Sequence, residues 1–433
     1  MRLHEREAIA SSRNRIHRLS SPPFARFVAA SGLTNLGDGV ATVAWAWVAS
    51  LLTRDPLLIA SVAIALRLPW AIFALPAGVV ADRADRRQLI LRMDVVRAVA
   101  FAGAAISLWL ASPLGEAPAS GVSSPFAFAA LAVAGMVVGG AEVFRDNAAQ
   151  TMLPAMVPHE RLEAANGRLW SVELAANALL GPALGAFLVA LAVALPFAGN
   201  ALAYATAALL VAGIAGSFRP QPDGERNWRR ELMEGLAYLW RAPLLRTLAW
   251  ITGFWNMFHQ MVFIALVLHV QENLGLGARA YGLILAAGAV GGIAGGLLGE
   301  RIVRRLGPGR TAQWTLFSSA PAFVAVALAP GAMWLALVLM VFEFFGLVWN
   351  TVSVAYRQRT IPDRLLGRVN SVYRLLAWGM MPVGLALSGL IVAGLEGTVT
   401  RGTALTVPFH VAAAGVLAVT LLGWRRLGSG FRA

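Results

Sequence analysis

The sequence predicts an all-α integral membrane protein with twelve transmembrane helices arranged as two six-helix bundles. Three observations lead to this fold class. Of the 433 residues, 58% are hydrophobic and only 13% are charged, about half the charged share of a soluble globular domain. Apolar stretches of about 20 residues, the length of a membrane-spanning helix, recur along the whole chain. The arginines lie almost entirely in alternate connections between these stretches, as membrane topology requires.

Twelve apolar stretches are long enough to span a bilayer. Pro and Gly inside them fit this prediction, because neighbouring helices in a membrane satisfy the freed backbone groups and pack closely on glycine. We place spans 1 to 12 at residues 24–52, 57–80, 93–112, 125–145, 165–193, 195–216, 244–270, 280–299, 311–329, 332–355, 367–393 and 405–424. In span 8, glycines at helical spacing predict a ridge for close helix packing, at Gly291, Gly292, Gly295, Gly296 and Gly299.

The arginines predict the orientation of the chain. All 36 basic residues other than histidine are Arg. With both termini in the cytoplasm, only Arg54, Arg279 and Arg401 lie in outer loops and Arg67 lies within a span, so the other 32 are at or near the inner face. This asymmetry obeys the positive-inside rule and requires an even number of spans. We therefore predict a multi-pass protein of a bacterial-type inner (plasma) membrane, with no cleaved signal peptide.

The predicted domains follow from the longest polar connection, which separates two sets of six spans. They are a basic cytoplasmic N-terminus at 1–23, a first bundle at 24–216, a cytoplasmic linker at 217–243, a second bundle at 244–424 and a cytoplasmic tail at 425–433. In the linker, Trp228, Leu232, Leu236 and Leu239 recur at helical spacing. This pattern predicts an amphipathic helix, which lies on the membrane surface or is a solvated connector.

Two internal repeats indicate that the bundles are related. A glycine, an acid and three arginines after span 2 recur without a gap 218 residues later, after span 8. The two sets are Gly78, Asp82, Arg83, Arg86, Arg87 and Gly296, Glu300, Arg301, Arg304, Arg305. A second repeat relates the segment from Pro158 to the segment from Pro362. Paired six-helix repeats are typical of secondary transporters, whose substrate site lies between the repeats.

The first of these sets resembles the signature loop of the major facilitator superfamily, between its helices 2 and 3. Val80 and Asp85 stand where the family usually has Leu and Gly. The segments beginning at Arg145 and at Tyr356 resemble the branch of that family that contains drug, macrolide and siderophore exporters. The resemblance covers nearly the whole chain and implies alternating access, with proton antiport in that branch.

A proline between glycines in span 5, at Gly181, Pro182 and Gly185, is similar to the core of the antiporter motif of drug exporters. The flanking glycines of that motif are incomplete here. The same residues are equally compatible with a simple packing kink.

Polar residues within the spans are the candidates for substrate and proton binding, because an ionisable group in hydrocarbon is costly unless it has a function. They lie on spans 1, 2, 4, 7 and 10, and the family resemblance implies that helices 1, 4, 7 and 10 line the central cavity. The candidates are Asp38, Arg67, Glu142, Asn256, His259, Gln260, Glu343 and Asn350. No mid-span carboxylate is predicted on spans 3, 6, 9 and 12.

Asp38 is the preferred proton-carrying carboxylate, because it lies about 21 Å along span 1 from the inner end, near the middle of the bilayer. The alternative is a static ion pair with Arg67, which is predicted at a similar depth. Glu343 either binds a cationic substrate or a second proton, or is a hydrogen-bonded structural carboxylic acid. Glu142 is expected to pair with Arg145, and His259 either relays protons or only packs.

The signature loop has two interpretations. In the first, Asp82 docks near span 11 and Arg83, Arg86 and Arg87 complete a charge network that favours one access state. In the second, the positive charges only hold the loop on the inner side.

Several classes of function are excluded. Without Cys there are no disulfides, thiolate metal sites or cysteine nucleophile, and without Lys there is no P-loop or Schiff base. No enzyme, metal, cofactor or nucleic-acid partner is predicted. The prediction is a monomeric exporter of an amphipathic small molecule in exchange for protons; the alternatives are a lysolipid flippase and a membrane receptor or assembly factor without transport.

Overall fold

The computed structural model describes residues 21–81, 83–158, 161–219 and 228–431. Within them the chain forms twelve long helical segments, α1 to α12, and one shorter linker helix, Trp228–Arg241. The first six segments are α1 Pro22–Leu52, α2 Pro56–Ala81, α3 Arg86–Leu110, α4 Pro125–Met156, α5 Leu162–Leu191 and α6 Leu195–Ala212. The second six are α7 Pro243–Asn273, α8 Ala278–Leu306, α9 Pro308–Ala327, α10 Ala332–Thr360, α11 Asp363–Leu395 and α12 Arg401–Gly430.

Four of these segments are interrupted. A π-helical stretch at Leu174–Leu180 divides α5, and another forms the end of α7 at His269–Asn273. Single residues, Ser318 and Met380, separate the two parts of α9 and of α11. The α5 interruption directly precedes Pro182, which lacks the N–H needed for a regular helical hydrogen bond.

Nine helices in the described residues are long and apolar enough to cross a membrane. They correspond to α2, α4 to α8 and α10 to α12. The remaining three, α1, α3 and α9, occupy the positions of predicted spans 1, 3 and 9. The all-helical membrane fold is therefore confirmed, whereas the count of twelve spans stays a prediction for these three helices.

The glycine ridge of α8 packs against α10. A Cβ added to Gly291 or Gly295 would overlap the backbone carbonyl of Met340 or Phe344, and one added to Gly299 would lie 2.8 Å from the Thr351 hydroxyl oxygen. The prediction was wrong for Gly296, which is exposed and has no neighbouring atom within 4 Å of an added Cβ. The ridge therefore runs along one face of α8, and Gly296 lies off that face.

The linker helix is docked on the second bundle. A Cβ added to Gly235 would lie 2.7 Å from the carbonyl oxygen of Arg368 on α11. The Arg368 guanidinium binds Glu234 and lies 3.2 Å from Glu231, while the Tyr238 hydroxyl donates to the Thr360 carbonyl at 2.9 Å. The sequence predicted a helix on the membrane surface or a solvated connector, and neither interpretation included docking on α11. Helical spacing shows that one face of a helix is apolar, but it does not show which element covers that face.

The two bundles contact each other at one end. We call the side where α1 begins and α12 ends the terminal side, and the opposite side the far side. Near the far side, a Cβ added to Gly282 of α8 would lie 2.7 Å from the Pro182 carbonyl of α5, and one added to Gly389 of α11 would lie 2.9 Å from the Cα of Leu57 on α2. The rings of Trp47 and Tyr281 are 5.4 Å apart. The bundles are thus closed together on the far side.

Candidate functional site

A cavity of about 190 Å³ lies between the two bundles. The first bundle contributes Asp38, Arg67 and Glu142 to its wall, and the second contributes Gln260. Aromatic and aliphatic side chains form most of the remaining lining, among them Trp45, Phe263, Ile264, Tyr281 and Leu385. A mixed charged and apolar lining of this kind suits an amphipathic ligand.

Asp38 is held by α3 and α6. The Arg97 guanidinium donates to the Asp38 carboxylate and to the Tyr204 hydroxyl at 2.7 Å, and that hydroxyl donates to Asp38 at 2.6 Å. Arg97 also lies 4.1 Å above the Tyr204 ring centroid, in a cation–π contact. Arg97 is fully buried, whereas the Asp38 side chain is 24% exposed at the cavity. The carboxylate therefore faces the cavity from a rigid, buried support.

This arrangement corrects two predictions. The static partner of Asp38 is Arg97 and not Arg67, which shares the cavity with Asp38 but forms no ion pair with it in the described residues. Arg97 was also expected at the inner face, as one of the topology-determining arginines. It is instead inside the first bundle, because its charge is balanced there by Asp38.

A second buried charge cluster lies beside the first. The Arg145 Nε of α4 is 3.6 Å from the Asp94 carboxylate of α3, and its other nitrogens donate to Thr34 at 2.9 Å and approach Asp146 at 3.4 Å. Asp94 has no exposed surface. The expected pair between Glu142 and Arg145 is absent from the described residues, since Arg145 is occupied by these two aspartates. α3, for which no mid-span carboxylate was predicted, carries the buried carboxylate of Asp94 in its first half.

The cavity continues towards the terminal side as a polar space of about 430 Å³. Asp38, Glu142, Asp146 and Glu173 line it together with Trp170 and Arg374. Trp170 and Glu173 are exposed although they lie on the inner wall of α5. The central cavity is thus open on the terminal side.

The second bundle has its own ionisable pair. His259 Nε2 of α7 is 3.4 Å from the Glu343 carboxylate of α10. Trp255 and Phe263, one turn before and one turn after His259 on α7, both stack on its imidazole, with ring centroids 4.9 and 4.3 Å away. Glu343 also lines a cavity of about 210 Å³ whose other walls are mainly apolar residues of α5, α8 and α10. The sequence predicted both residues but not their pairing.

Two predicted polar residues lie apart from these groups. Asn256 is buried and its amide donates to the Ala377 carbonyl at 2.9 Å, so it joins α7 to α11. Asn350 is exposed on α10. Of the eight predicted cavity residues, the structure places Asp38, Arg67, Glu142 and Gln260 around one cavity and joins His259 to Glu343 beside it.

The signature loop is tied to its own bundle. Arg87 donates to the carbonyls of Val211 and Ala212 at the end of α6, at 3.2 and 2.7 Å, where a cation interacts favourably with the helix dipole. Arg83 is exposed, Arg86 is half-buried, and Asp82 lies outside the described residues. In this conformation Arg87 therefore binds within its own bundle. The docking of Asp82 near span 11, with Arg83, Arg86 and Arg87 in one charge network, stays a prediction.

The second copy of the loop is solvent-exposed. Glu300 and Arg304 form an i,i+4 ion pair at 3.2 Å, and both side chains are more than 60% exposed. Arg301 and Arg305 are exposed as well, and Gly78 and Gly296, the glycines of the two copies, have no atom within 4 Å of an added Cβ. An exposed pair of this kind contributes little to stability.

Asp85, which departs from the family signature, caps α3. It accepts hydrogen bonds from the backbone N–H of Gln88 and of Phe218, both at 3.1 Å, and from the Ser217 hydroxyl at 3.0 Å. Burial alone would raise the pKa of Asp85, but these hydrogen bonds to the charged form lower it overall. The carboxylate therefore joins the start of α3 to the segment after α6.

We expect Asp85→Ala to lower the free energy of unfolding by about 1 kcal/mol, the usual cost of losing an N-cap. Since the pKa of Asp85 is lower in the folded protein than in the unfolded chain, its contribution is complete above the unfolded value of about 3.9 and is lost as the pH falls through the lower folded value. Thermal unfolding in detergent at pH 7 and at pH 3 measures both effects. Asp85→Asn, which keeps the cap, is the control; equal stability of Asp85→Ala and wild type at pH 7 would contradict the prediction.

The proline motif of α5 is a packing contact. Cβ atoms added to Gly181 and Gly185 would lie 2.5 Å from Gly39 Cα and 2.6 Å from the Val40 carbonyl oxygen on α1. The opposite side of this segment, at Pro182, contacts Gly282 of α8. The motif thus brings α5 against α1 in its own bundle and α8 in the other.

Polar contacts lock the far side. The Gln271 side chain of α7 accepts a hydrogen bond from Arg54 and donates to the Ser50 hydroxyl at 2.7 Å, joining the two bundles. Arg401 of α12 donates to the Arg54 carbonyl at 2.5 Å and binds Glu272 at 3.0 Å. Two of the three arginines predicted in outer loops therefore belong to one closed gate.

Two related helical bundles around a charged cavity that is closed on one side and open on the other define a secondary transporter. The chain matches the family model of the Major Facilitator Superfamily over residues 27–386 and belongs to that family. As predicted, it is therefore a multi-pass membrane transporter of small molecules and not an enzyme.

Similar proteins include two bacterial exporters. The multidrug efflux pump Tap of Mycolicibacterium fortuitum is 27% identical over 419 residues, which cover 90% of this chain and 93% of Tap. The enterobactin exporter EntS of Citrobacter koseri is 25% identical over 353 residues, covering 80% of this chain and 79% of EntS. These relatives support the predicted resemblance to drug and siderophore exporters.

Solved structures show the same fold. A bacterial homologue of the iron transporter ferroportin in an inward-facing state is 16% identical and has a TM-score of 0.74, covering 95% of this chain and 100% of that one. The outward-facing structure of a bacterial ferroportin homologue has a TM-score of 0.60 at 18% identity, covering 94% and 99%.

The sequence did not predict Asp94, Arg97, Asp146 or Tyr204 as members of the site. A signal was present, because Asp94 and Arg97 stand three residues apart at the start of an apolar run, the spacing of neighbours on a helix. Asp94 stands next to the predicted start of span 3 at residue 93, so it was not considered among the residues inside the spans.

Proposed function

We propose that this protein exports an amphipathic small molecule, of the drug, macrolide or siderophore type, in exchange for protons. The observation that supports proton coupling best is the Asp38 carboxylate, which faces the central cavity and balances the buried charge of Arg97. Adding a proton or a cationic ligand to this carboxylate changes the charge balance inside the bundle, and such a change favours one access state over another.

The proposed orientation places the terminal side in the cytoplasm, because nearly all arginines are predicted there. The described conformation, open on the terminal side and closed on the far side, then corresponds to the state in which an exporter loads its substrate from the cytoplasm. The protein would act as a monomer in the inner membrane, with protons and the substrate as its only ligands.

The lining of the cavity supports an amphipathic substrate. Trp45, Phe263 and Tyr281 provide apolar surface next to the carboxylates of Asp38 and Glu142. The similarity to a multidrug efflux pump and to an enterobactin exporter agrees with export. Glu343, beside His259, would offer the second bundle a separate acidic contact for the same ligand.

We expect wild-type protein to protect an efflux-deficient bacterium against members of a compound panel and Asp38→Asn to reduce protection to the level of the empty vector. Growth is measured at matched expression, with and without a protonophore. Glu116→Gln, the same change of acid to amide at an exposed far-side residue, is the control and should protect like wild type.

The outcomes separate the alternatives. Protection that persists with the protonophore or in Asp38→Asn would contradict proton antiport through Asp38. Transport that depends on the lipid headgroup and not on pH would indicate a lysolipid flippase. A single-cysteine cavity reporter that is never labelled from the far side would indicate a receptor or assembly factor without transport.

A further inference from the structure

Arg97 has unused hydrogen-bonding capacity. Only its Nη2 nitrogen donates, to Asp38 and Tyr204, while Nε and Nη1 are buried and have no hydrogen-bond partner in the described residues. A guanidinium has five N–H donors in a fixed plane, and buried donors without acceptors are costly. The described contacts therefore satisfy Arg97 incompletely.

Asp94 has unused acceptor capacity on the same helix. It precedes Arg97 by three residues, so the two side chains are neighbours on one face of α3. Both Asp94 oxygens are buried, and neither accepts a hydrogen bond from the described residues. The Arg145 Nε lies 3.6 Å from Asp94, beyond hydrogen-bonding distance, and has no hydrogen-bond partner of its own in the described residues. The other two Arg145 nitrogens contact Thr34 and Asp146. An incompletely satisfied carboxylate thus lies one turn from an incompletely satisfied guanidinium.

We propose that Asp94 is the alternate anchor of Arg97: when Asp38 takes up a proton or a cationic substrate, the Arg97 guanidinium moves from Asp38 to Asp94. The proposal rests on the proposed proton coupling at Asp38 and names a positioning residue for it. The only bond formed is the O–H bond on the Asp38 carboxylate, with the proton supplied from the cavity and returned to it.

The reason for an alternate anchor is the cost of an uncompensated buried charge. Once Asp38 is neutral, Arg97 would be left without a counter-charge unless another carboxylate were within reach, and burying an unpaired charge is strongly unfavourable. Asp94 removes that cost, so Asp38 can be protonated at a higher pH than it could without Asp94.

The movement would also link protonation to helix motion. In the described state, Arg97 joins α3 to α1 through Asp38 and to α6 through Tyr204. A pair between Arg97 and Asp94 lies within α3, so forming it removes the Arg97 link between α3 and α1. α1 carries Gly39 and Val40, against which the α5 proline motif packs, and α5 in turn contacts α8 of the other bundle.

Other ionisable groups surround Arg97 and Asp94 and contribute to their electrostatic environment. Each helix that packs against Arg97 and Asp94 supplies at least one of them. They are Asp38 of α1, Arg67 of α2, Glu142, Arg145 and Asp146 of α4, Glu173 of α5 and Tyr204 of α6. Only Asp94 among the acids is on the same helix as Arg97 and fully buried.

The test follows the protonation of Asp38 directly in the full-length protein in proteoliposomes. Infrared difference spectra recorded against pH give the carboxylic-acid C=O band of Asp38, which is assigned by its loss in Asp38→Asn. We expect Asp94→Asn to shift the pH midpoint of this band to lower pH by about 1 unit or more, the size of shift that a neighbouring charge produces. Asp94→Glu, which keeps the charge, should restore the wild-type midpoint.

A double variant separates the proposal from a direct electrostatic effect of the Asp94 charge on Asp38. If Asp94 acts through Arg97, the shift caused by Asp94→Asn disappears in an Arg97→Gln background. A shift that persists there, or an unchanged midpoint in Asp94→Asn, would overturn the proposal. If Asp94→Asn does not fold, Asp94→Ser provides the same neutral change with a smaller side chain.

The readout is independent of the proposed function. Should wild-type protein show no proton-dependent export, the function proposed above fails, while the infrared midpoints still show whether Arg97 has two anchors. If export is proton-dependent and the midpoints do not respond to Asp94, only the alternate anchor fails.

Discussion

Gly291→Ala is expected to destabilise the packing of α8 against α10 in the second bundle. A Cβ at this position would overlap the Met340 backbone carbonyl of α10, and a backbone group cannot move aside as a side chain can. Overpacking a core typically costs about 1–3 kcal/mol, and we expect a loss at the upper end, about 3 kcal/mol, because the whole of α8 must separate from α10. The yield of monodisperse protein and its thermal unfolding in detergent measure the effect.

Gly296→Ala is the matched control. Gly296 is five residues away on the same helix, so the change in helix propensity is equal, but no atom lies within 4 Å of an added Cβ. Since alanine favours a helix over glycine by about 1 kcal/mol, this variant should be as stable as wild type or more so. Equal unfolding temperatures for the two variants would show that the close α8–α10 contact does not exist.

Gln271→Ala is expected to open the far side. Its side chain contacts Arg54 and Ser50, and both contacts join the two bundles. One of them involves a charged donor, and such a hydrogen bond is worth about 1.5–3 kcal/mol. Because about 1.4 kcal/mol corresponds to a tenfold change in an equilibrium constant, we expect the far-side-open population to increase about tenfold.

The natural absence of cysteine makes this measurable. Ala46→Cys places a single thiol on the wall of the central cavity. In the proposed orientation, a membrane-impermeant thiol reagent added to intact cells reaches it only from the far side. Labelling should be about tenfold faster with Gln271→Ala. Glu116→Ala is the control, because Glu116 is an exposed far-side residue outside the contacts described between the two bundles. Equal rates in the two variants would show that Gln271 does not hold the gate.

Much of the fold could be predicted from the sequence because the physical signals are local. An apolar run of about 20 residues is sufficient to define a membrane helix, and glycines three and four residues apart mark the face where another helix approaches. Gly291 and Gly295 were predicted as a contact ridge for this reason. Gly296 was not distinguishable from them, because the sequence does not show how far the contact face extends around the helix.

The candidate site was predicted less completely. Asp38 was found from its depth in span 1, and Glu343 from its depth in span 10. Their partners were not, because the position of a residue along its helix gives no information on which neighbouring helix it faces. Arg67 was therefore considered as the partner of Asp38, whereas the structure places Arg97 there.

The sequence by itself determined that the chain folds in lipid, that it is helical and that it contains paired repeats, since each depends on composition or on spacing along the chain. It also predicted Asp38 from its position along span 1. Only the tertiary structure decided the Asp38–Arg97–Tyr204 cluster, the docking of the linker helix on α11, and the closure of the far side by Gln271 and Arg401. Each of these joins residues more than 50 positions apart, and such contacts are fixed by how helices pack in space.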